Sequence, residues 1–170
     1  MSAVQIAPLQ ASDLAELAAA IRTDAVYAHL GGKAPAMQRF ASGLQRALAG
    51  PPEHRRTERW LNYLVRAADS GQVLGQLQAT VHDGIAEVAF LFGADSWGRG
   101  HASHGLRWLQ QEVVRSCGPV DFWATAVPAN LRCQALLARA GYVAVAPADA
   151  PRLLSYDDGD LVFTHRPPAA

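Results

Sequence analysis

The chain has 170 residues, 50% of them apolar and 18% charged, with 15 Lys and Arg balancing 15 Asp and Glu. That length suits one domain with a substantial core, and that apolar fraction excludes a disordered chain. Zero net charge excludes a bulk electrostatic grip on nucleic acid or an anionic membrane surface, and no apolar run reaches the ~18 residues of a membrane span.

Residues 4–9 are a predicted strand. Ser12 offers an N-cap to a helix whose inner face is Leu14, Leu17, Ala18 and Ile21. A second helix is expected over 36–49, between Pro35 and Gly50-Pro51-Pro52. Three strands follow, at 60–67, 73–81 and 85–92, separated by the turns Asp69-Ser70-Gly71 and His82-Asp83-Gly84. In the second of these, Gly75, Leu77, Ala79 and Val81 share one face and Gln76, Gln78 and Thr80 the other. Short turns make this meander antiparallel. The third strand is the most apolar, hence central.

After Phe92 a Gly-containing loop leads into a helix marked by Ala102, Leu106, Leu109, Val113 and Cys117 and ended by Gly118-Pro119. The next strand, 120–127, follows a crossover long enough to be parallel. Asn130 is an N-cap for a last helix closed by Gly141, and strands from Tyr142 and Asp160 complete the chain. The fold class is therefore α/β (α+β): a mixed, mostly antiparallel sheet with a central parallel pair and helices packed on it. Residues 1–166 are expected to form a single domain and 167–170 a disordered tail. The start, Met1-Ser2-Ala3-Val4-Gln5, has no basic region before an apolar stretch. The cysteines, Cys117 and Cys133, form no metal or disulfide pattern. Both features point to the cytoplasm.

The segment Phe90-Leu91-Phe92-Gly93-Ala94-Asp95-Ser96-Trp97-Gly98-Arg99-Gly100-His101-Ala102-Ser103 joins the central strand to a helix start. Small residues at Gly98, Gly100 and Ala102 leave main-chain N–H groups open to an anion, and the helix dipole adds to their pull. Arg99 supplies a charge suited to phosphate. A dinucleotide fingerprint fails here, because Ser103 stands where its last Gly belongs and the preceding strands are hairpins. His101-Ala102-Ser103-His104-Gly105 lacks the first small residue of a nucleophile elbow. His101 and His104 lack a third metal ligand nearby, so no metal is expected.

These residues resemble the GNAT superfamily of N-acetyltransferases, whose acetyl-CoA loop reads Q/R-x-x-G-x-G/A. Trp97-Gly98-Arg99-Gly100-His101-Ala102 has that pattern with Trp in the first position, as in the branch that acetylates ribosomal-protein N-termini. The strand Ala86-Glu87-Val88-Ala89-Phe90 resembles that branch's Ala-Glu-Ile-Gly-Tyr. Asn130, Cys133, Gly141 and Tyr142 fall at the offsets of its Asn, Ser and Gly-Phe, and the segment 26–32 resembles its helix-linking stretch.

The resemblance implies seven strands, about four helices and an acetyl-CoA slot between two splayed parallel strands. It further implies that main-chain groups of Phe90, Leu91 and Phe92 bind the pantetheine arm and polarise the thioester carbonyl. Groups from Trp97, Gly98, Arg99, Gly100, His101, Ala102 and Ser103 would hold the pyrophosphate, and Asn130 would bind the cofactor near its pantetheine end. The implied reaction is acetyl transfer to a primary amine, either a protein N-terminal α-amine or a small molecule, by direct attack in a ternary complex. The alternative is a degenerate module that senses acetyl-CoA without turnover. A monomer or homodimer is expected, with no nucleic-acid or membrane partner.

Glu87, an acid inside an apolar strand, is the candidate base, acting through water. Leu137 stands where much of the superfamily has an acidic Tyr, so Cys133 either protonates the leaving thiolate or packs against it. Tyr27, His29, Trp60 and Tyr156 are expected around the acceptor. Asp157, Asp158 and Asp160 either attract a cationic amine or simply form a turn, and Trp108 and Trp123 belong to the core.

Overall fold

A computed structural model of the chain describes residues 3–167. Met1 and Ser2 of the start read above, and residues 168–170 of the expected tail, lie outside it. The chain runs β1 (Val4–Pro8), α1 (Leu14–Ile21), α2 (Met37–Ala49), β2 (Arg59–Ala67), β3 (Val73–His82) and β4 (Ile85–Phe92). It continues through α3 (His101–Cys117), β5 (Asp121–Ala126), α4 (Leu131–Arg139), β6 (Val143–Val145) and β7 (Leu161–His165). One sheet of seven strands has the order β1-β2-β3-β4-β5-β7-β6. Every neighbouring pair is antiparallel except β4 and β5. The α3 crossover makes that pair parallel and places β4 at the centre.

Strand alternation sorts the core into two clusters. Leu77, Val88, Phe92, Phe122 and Phe163 pack under α3 and α4, against Leu106, Leu109, Val113 and Leu137. Leu64 and Val73 pack under α1 and α2, against Leu17, Ile21 and Leu44. Leu137 is fully buried, so it contributes only packing. The T-shaped contact of Trp108 with Tyr63, with ring centroids 4.9 Å apart, belongs to this core, as does the buried Trp123. Gly93 is required by close approach, because a Cβ there would lie 2.6 Å from the Ala20 carbonyl oxygen. This contact seats the end of α1 beside the loop that leaves β4.

One local expectation is corrected. Ser12 does not cap α1; it sits inside a short 3-10 turn, Ala11–Asp13. α1 has no side-chain cap; Asp13 instead closes the turn before it, its carboxylate accepting the Gln10 N–H at 2.8 Å. Asp13 and Glu16 then both bind Arg66 of β2, which fixes the start of the helix to that strand.

Candidate functional site

The ladder between β4 and β5 covers only Ile85, Ala86 and Glu87 against Asp121, Phe122 and Trp123. Beyond it the strands part. On the other side of β4, the Gly93 N–H donates to the Leu74 carbonyl, and the β3 register continues through Leu91 opposite Gln76. Antiparallel alternation then turns the main-chain groups of Phe90 and Phe92 toward the gap. The Phe92 carbonyl accepts the Trp97 indole N–H at 2.9 Å. The N–H and C=O of Phe90 face the gap with no strand opposite them.

The loop after β4 reaches α3 through Gly98 at φ 74° and Gly100 at φ 81°. A Cβ at Gly98 would meet nothing within 4 Å, so its backbone angle and not space requires glycine. No side chain caps α3. The N–H groups of His101, Ala102 and Ser103 therefore have no intrahelical acceptor and sit at the positive end of the helix dipole.

The strand gap and this helix start open into one cavity of about 370 Å³. Phe90, Leu91, Phe92, Trp97, Gly98, Gly100, His101, Ala102, Ser103, Asn130 and Cys133 all line it. Arg99 does not. It lines a separate groove with Glu16, Thr23 and Asp95, because the two positive-φ glycines on either side turn it away. The cavity's cations are instead Arg132 and Arg139 of α4, which the sequence reading missed. Arg132 stacks over the Trp97 ring, 3.6 Å from its centroid. Trp97 thus ties the loop to both β4 and α4.

Asn130 caps α4, its Oδ1 accepting the Cys133 N–H at 3.1 Å. The same residue keeps an amide N–H₂ for another partner. Burial pushes the Cys133 thiol up to about 11.

On the α1–α2 face of the sheet a second cavity, about 960 Å³, has Trp60, Asn62, Gln78, Thr80, Glu87 and Ser155 among its walls. Glu87 is buried, and both its oxygens are occupied. Oε1 accepts from His82 Nε2 at 2.6 Å and from the Leu154 N–H at 2.6 Å. Oε2 accepts from the Ser155 N–H at 2.9 Å and from the Ser155 hydroxyl. A carboxylate offers about four acceptor positions, and all four are used. Burial pulls the Glu87 pKa up, but these bonds outweigh it and hold the pKa below the ordinary value. Burial likewise pulls His82 down, and its bonds to Asp83 and Glu87 outweigh that and hold it above the ordinary value.

The remaining expected acceptor residues disperse. Trp60 lines the cavity beside Glu87, Tyr27 lines a neighbouring one under α2, and His29 lines the cavity beside α3. Tyr156 lines none of these three. Asp157, Asp158 and Asp160 form an exposed turn in which the Asp160 carboxylate accepts the Asp157 N–H at 3.2 Å.

A family model described as "Acetyltransferase (GNAT) domain" matches residues 4–143. Solved structures share the fold. A GNAT-family acetyltransferase from Bacillus anthracis aligns with a TM-score of 0.75 at 9% identity, covering 98% of this chain and 96% of that one. The aminoglycoside acetyltransferase AAC(6')-Ib in complex with coenzyme A aligns at 0.73 and 17% identity, covering 96% and 95%. A Salmonella typhimurium acetyl transferase that modifies the N-terminal serine of 50S ribosomal subunit protein L7/L12 aligns at 0.75 and 14%, covering 98% and 96%. No curated protein matches the chain.

Proposed function

The chain belongs to the GNAT acetyltransferase family, and from that premise we propose that it moves an acetyl group from acetyl-CoA to a primary amine within a ternary complex. Acetyl-CoA is the acetyl donor of this family. One observation carries the placement of that donor: an unpaired stretch of β4 and an uncapped helix start share a single cavity. The Phe90 C=O and the Phe92 N–H suit the amide-bearing pantetheine arm. The first-turn N–H groups of α3, with Gly98 and Gly100, suit a pyrophosphate. Arg132 and Arg139 add positive charge, and the free amide of Asn130 faces the same cavity.

The amine attacks the thioester carbonyl carbon, the carbon–sulfur bond breaks, and the thiol leaves as thiolate. The Phe90 N–H is placed to polarise the carbonyl as negative charge develops there. The proton lost by the amine passes to water. Glu87 is a poor candidate to take it directly, since its lone pairs are occupied and its pKa is lowered. Its proposed role is to hold Leu154 and Ser155 on the sheet as one wall of the acceptor cavity. An α-amino group, with a pKa near 7.7–8.0, needs far less help from a base than a lysine near 10.4. The acceptor is therefore an α-amine, of a protein N-terminus or a small molecule.

Cys133 acts by packing. Burial raises this thiol to about 11, which makes it a weak proton donor at neutral pH. Solvent supplies the proton to the leaving thiolate. The occupied Glu87, the raised Cys133 and the buried Leu137 together favour one rival reading, an acetyl-CoA-binding module without turnover. Calorimetric titration with acetyl-CoA, with NAD as control, tests the cavity. Thiol release in the presence of an α-amine separates enzyme from module.

A further inference from the structure

The acceptor side of the sheet carries cations without counter-ions. A cavity of about 470 Å³ under α2 is walled in part by Lys33, Arg39 and Arg46. Arg46, Gly43, Ala47 and Gln78 line both it and the cavity beside Glu87. Arg55, on the far wall of the latter, is already paired with Glu58 at 2.6 Å and stacked on Trp60. Lys33, Arg39 and Arg46 have no ion-pair partner among the described residues. The sole acid on either wall is Glu87, and its acceptor positions are full.

The spacing of these charges indicates what they are for. Arg39, Gly43 and Arg46 lie on one face of α2. Gly43 has no side chain, and the Arg46 guanidinium lies over it, 3.9 Å from where a Cβ would stand. The Cα atoms of the two arginines lie about 10 Å apart along the axis, the reach of roughly three residues of extended chain, and the Arg46 head folds back from its end of that span over Gly43. We propose that the acceptor is the α-amine of an acidic N-terminal segment, whose carboxylates pair with Arg46, Arg39 and Lys33 while the amine reaches β4. This rests on the acetyl-transfer reading and narrows it. A polycationic amine meets repulsion in this groove.

The test is calorimetric titration of CoA-saturated protein with three peptides of equal length that begin with Ser and continue with acidic, uncharged or basic residues. The acidic peptide is expected to bind about tenfold more tightly than the uncharged one, and the basic peptide least. That preference is expected to shrink as salt rises from 50 to 500 mM, since the screening length falls below about 10 Å. Reversing the charges in Arg39→Glu combined with Arg46→Glu is expected to invert the order. Equal binding of all three peptides, or an order unmoved by the double reversal, overturns the proposal. So does free glutamate binding as tightly as the acidic peptide, which would make the ligand a small molecule. Acetyl transfer is read separately, by thiol release. Selective binding of the acidic peptide without turnover upholds the charge assignment and overturns the enzymatic reading alone.

Discussion

The cavity beside α3 and the cavity beside Glu87 adjoin the same strand, β4, yet take their polar groups from different sources. Beside α3 the groups are main-chain N–H and C=O left without partners by a parted ladder and an uncapped helix. Beside Glu87 they are mainly side chains, and those nearest β4 are already bonded to one another and to the Leu154 and Ser155 N–H groups. The first arrangement waits for a ligand that supplies acceptors and donors along its length. The second fixes the shape of a wall. A substitution that places charge or bulk in the first cavity should therefore abolish binding and spare the fold. A substitution in the Glu87 cluster should do the reverse.

The largest expected effect is in the first cavity. Asp is among the few side chains that tolerate the φ of 81° at Gly100. Gly100→Asp sets a carboxylate against the proposed pyrophosphate position. Acetyl-CoA affinity is expected to fall by on the order of 100-fold, the loss of one or two charge-assisted hydrogen bonds. The melting temperature is expected to stay within a few degrees of wild type. Calorimetry and a thermal melt on the same sample decide it, and unchanged affinity would move the anion site elsewhere.

Glu87→Gln probes the second cavity. An amide cannot accept at all four positions, so its NH₂ must oppose either the His82 and Leu154 donors or those of Ser155. A loss of about 2 kcal/mol of stability is expected, with acetyl-CoA binding intact. Denaturant unfolding measures the first and calorimetry the second. If turnover collapses while stability is unchanged, Glu87 is the base after all. Ser155→Ala removes one of the same bonds and is expected to cost about half as much.

Much of the first cavity was legible because its chemistry is main-chain chemistry. Gly98, Gly100 and Ala102 announce themselves as small residues at alternate positions, and a strand-to-helix junction announces its free N–H groups. Arg99 lines a different groove because the direction of a side chain between two positive-φ glycines is set by those angles and not by its neighbours in sequence. Arg132 and Arg139 were missed because only the packing of α4 against the loop brings them in.

Glu87 stood out as an acid in an apolar strand, but its partners did not. Leu154 and Ser155 lie 67 and 68 residues away. His82 had a signal that went unused. The turn Asp83-Gly84, with φ of 47° and 79°, is a two-residue hairpin loop that pairs His82 with Ile85 and Thr80 with Glu87. That register makes His82 and Glu87 diagonal neighbours on one face of the sheet.

Cys133→Ala sharpens the contrast from within the first cavity. A general acid contributes on the order of 10²-fold or more, whereas a packing residue at the edge of a cavity contributes little to the chemical step. The rate of thiol release at saturating substrates is expected to stay within about threefold of wild type. A fall near 10²-fold would return Cys133 to the role of proton donor.

The Glu87–His82 pair also carries a pH dependence. Glu87 is held below its ordinary 4.5, so its contribution to stability is present above that pH and fades as pH falls. His82 is held above its ordinary 6.5, so its contribution is complete below 6.5 and fades as pH rises through the raised value. The two overlap between about pH 4.5 and 6.5, where the pair stabilises the fold most. Asp83 acts on this histidine in the same direction, and the histidine in turn helps hold Glu58 low. Melting temperature is therefore expected to decline as pH rises from 6 to 8.5. His82→Gln keeps an N–H donor for Glu87 but cannot titrate. Its melting curve is expected to be lower at pH 6 and to lie flat across the alkaline limb, so that the gap to wild type closes by pH 8.5. A gap of constant size from pH 6 to 8.5 would mean that His82 is neutral throughout and that Glu87 is held by the 154–155 segment alone.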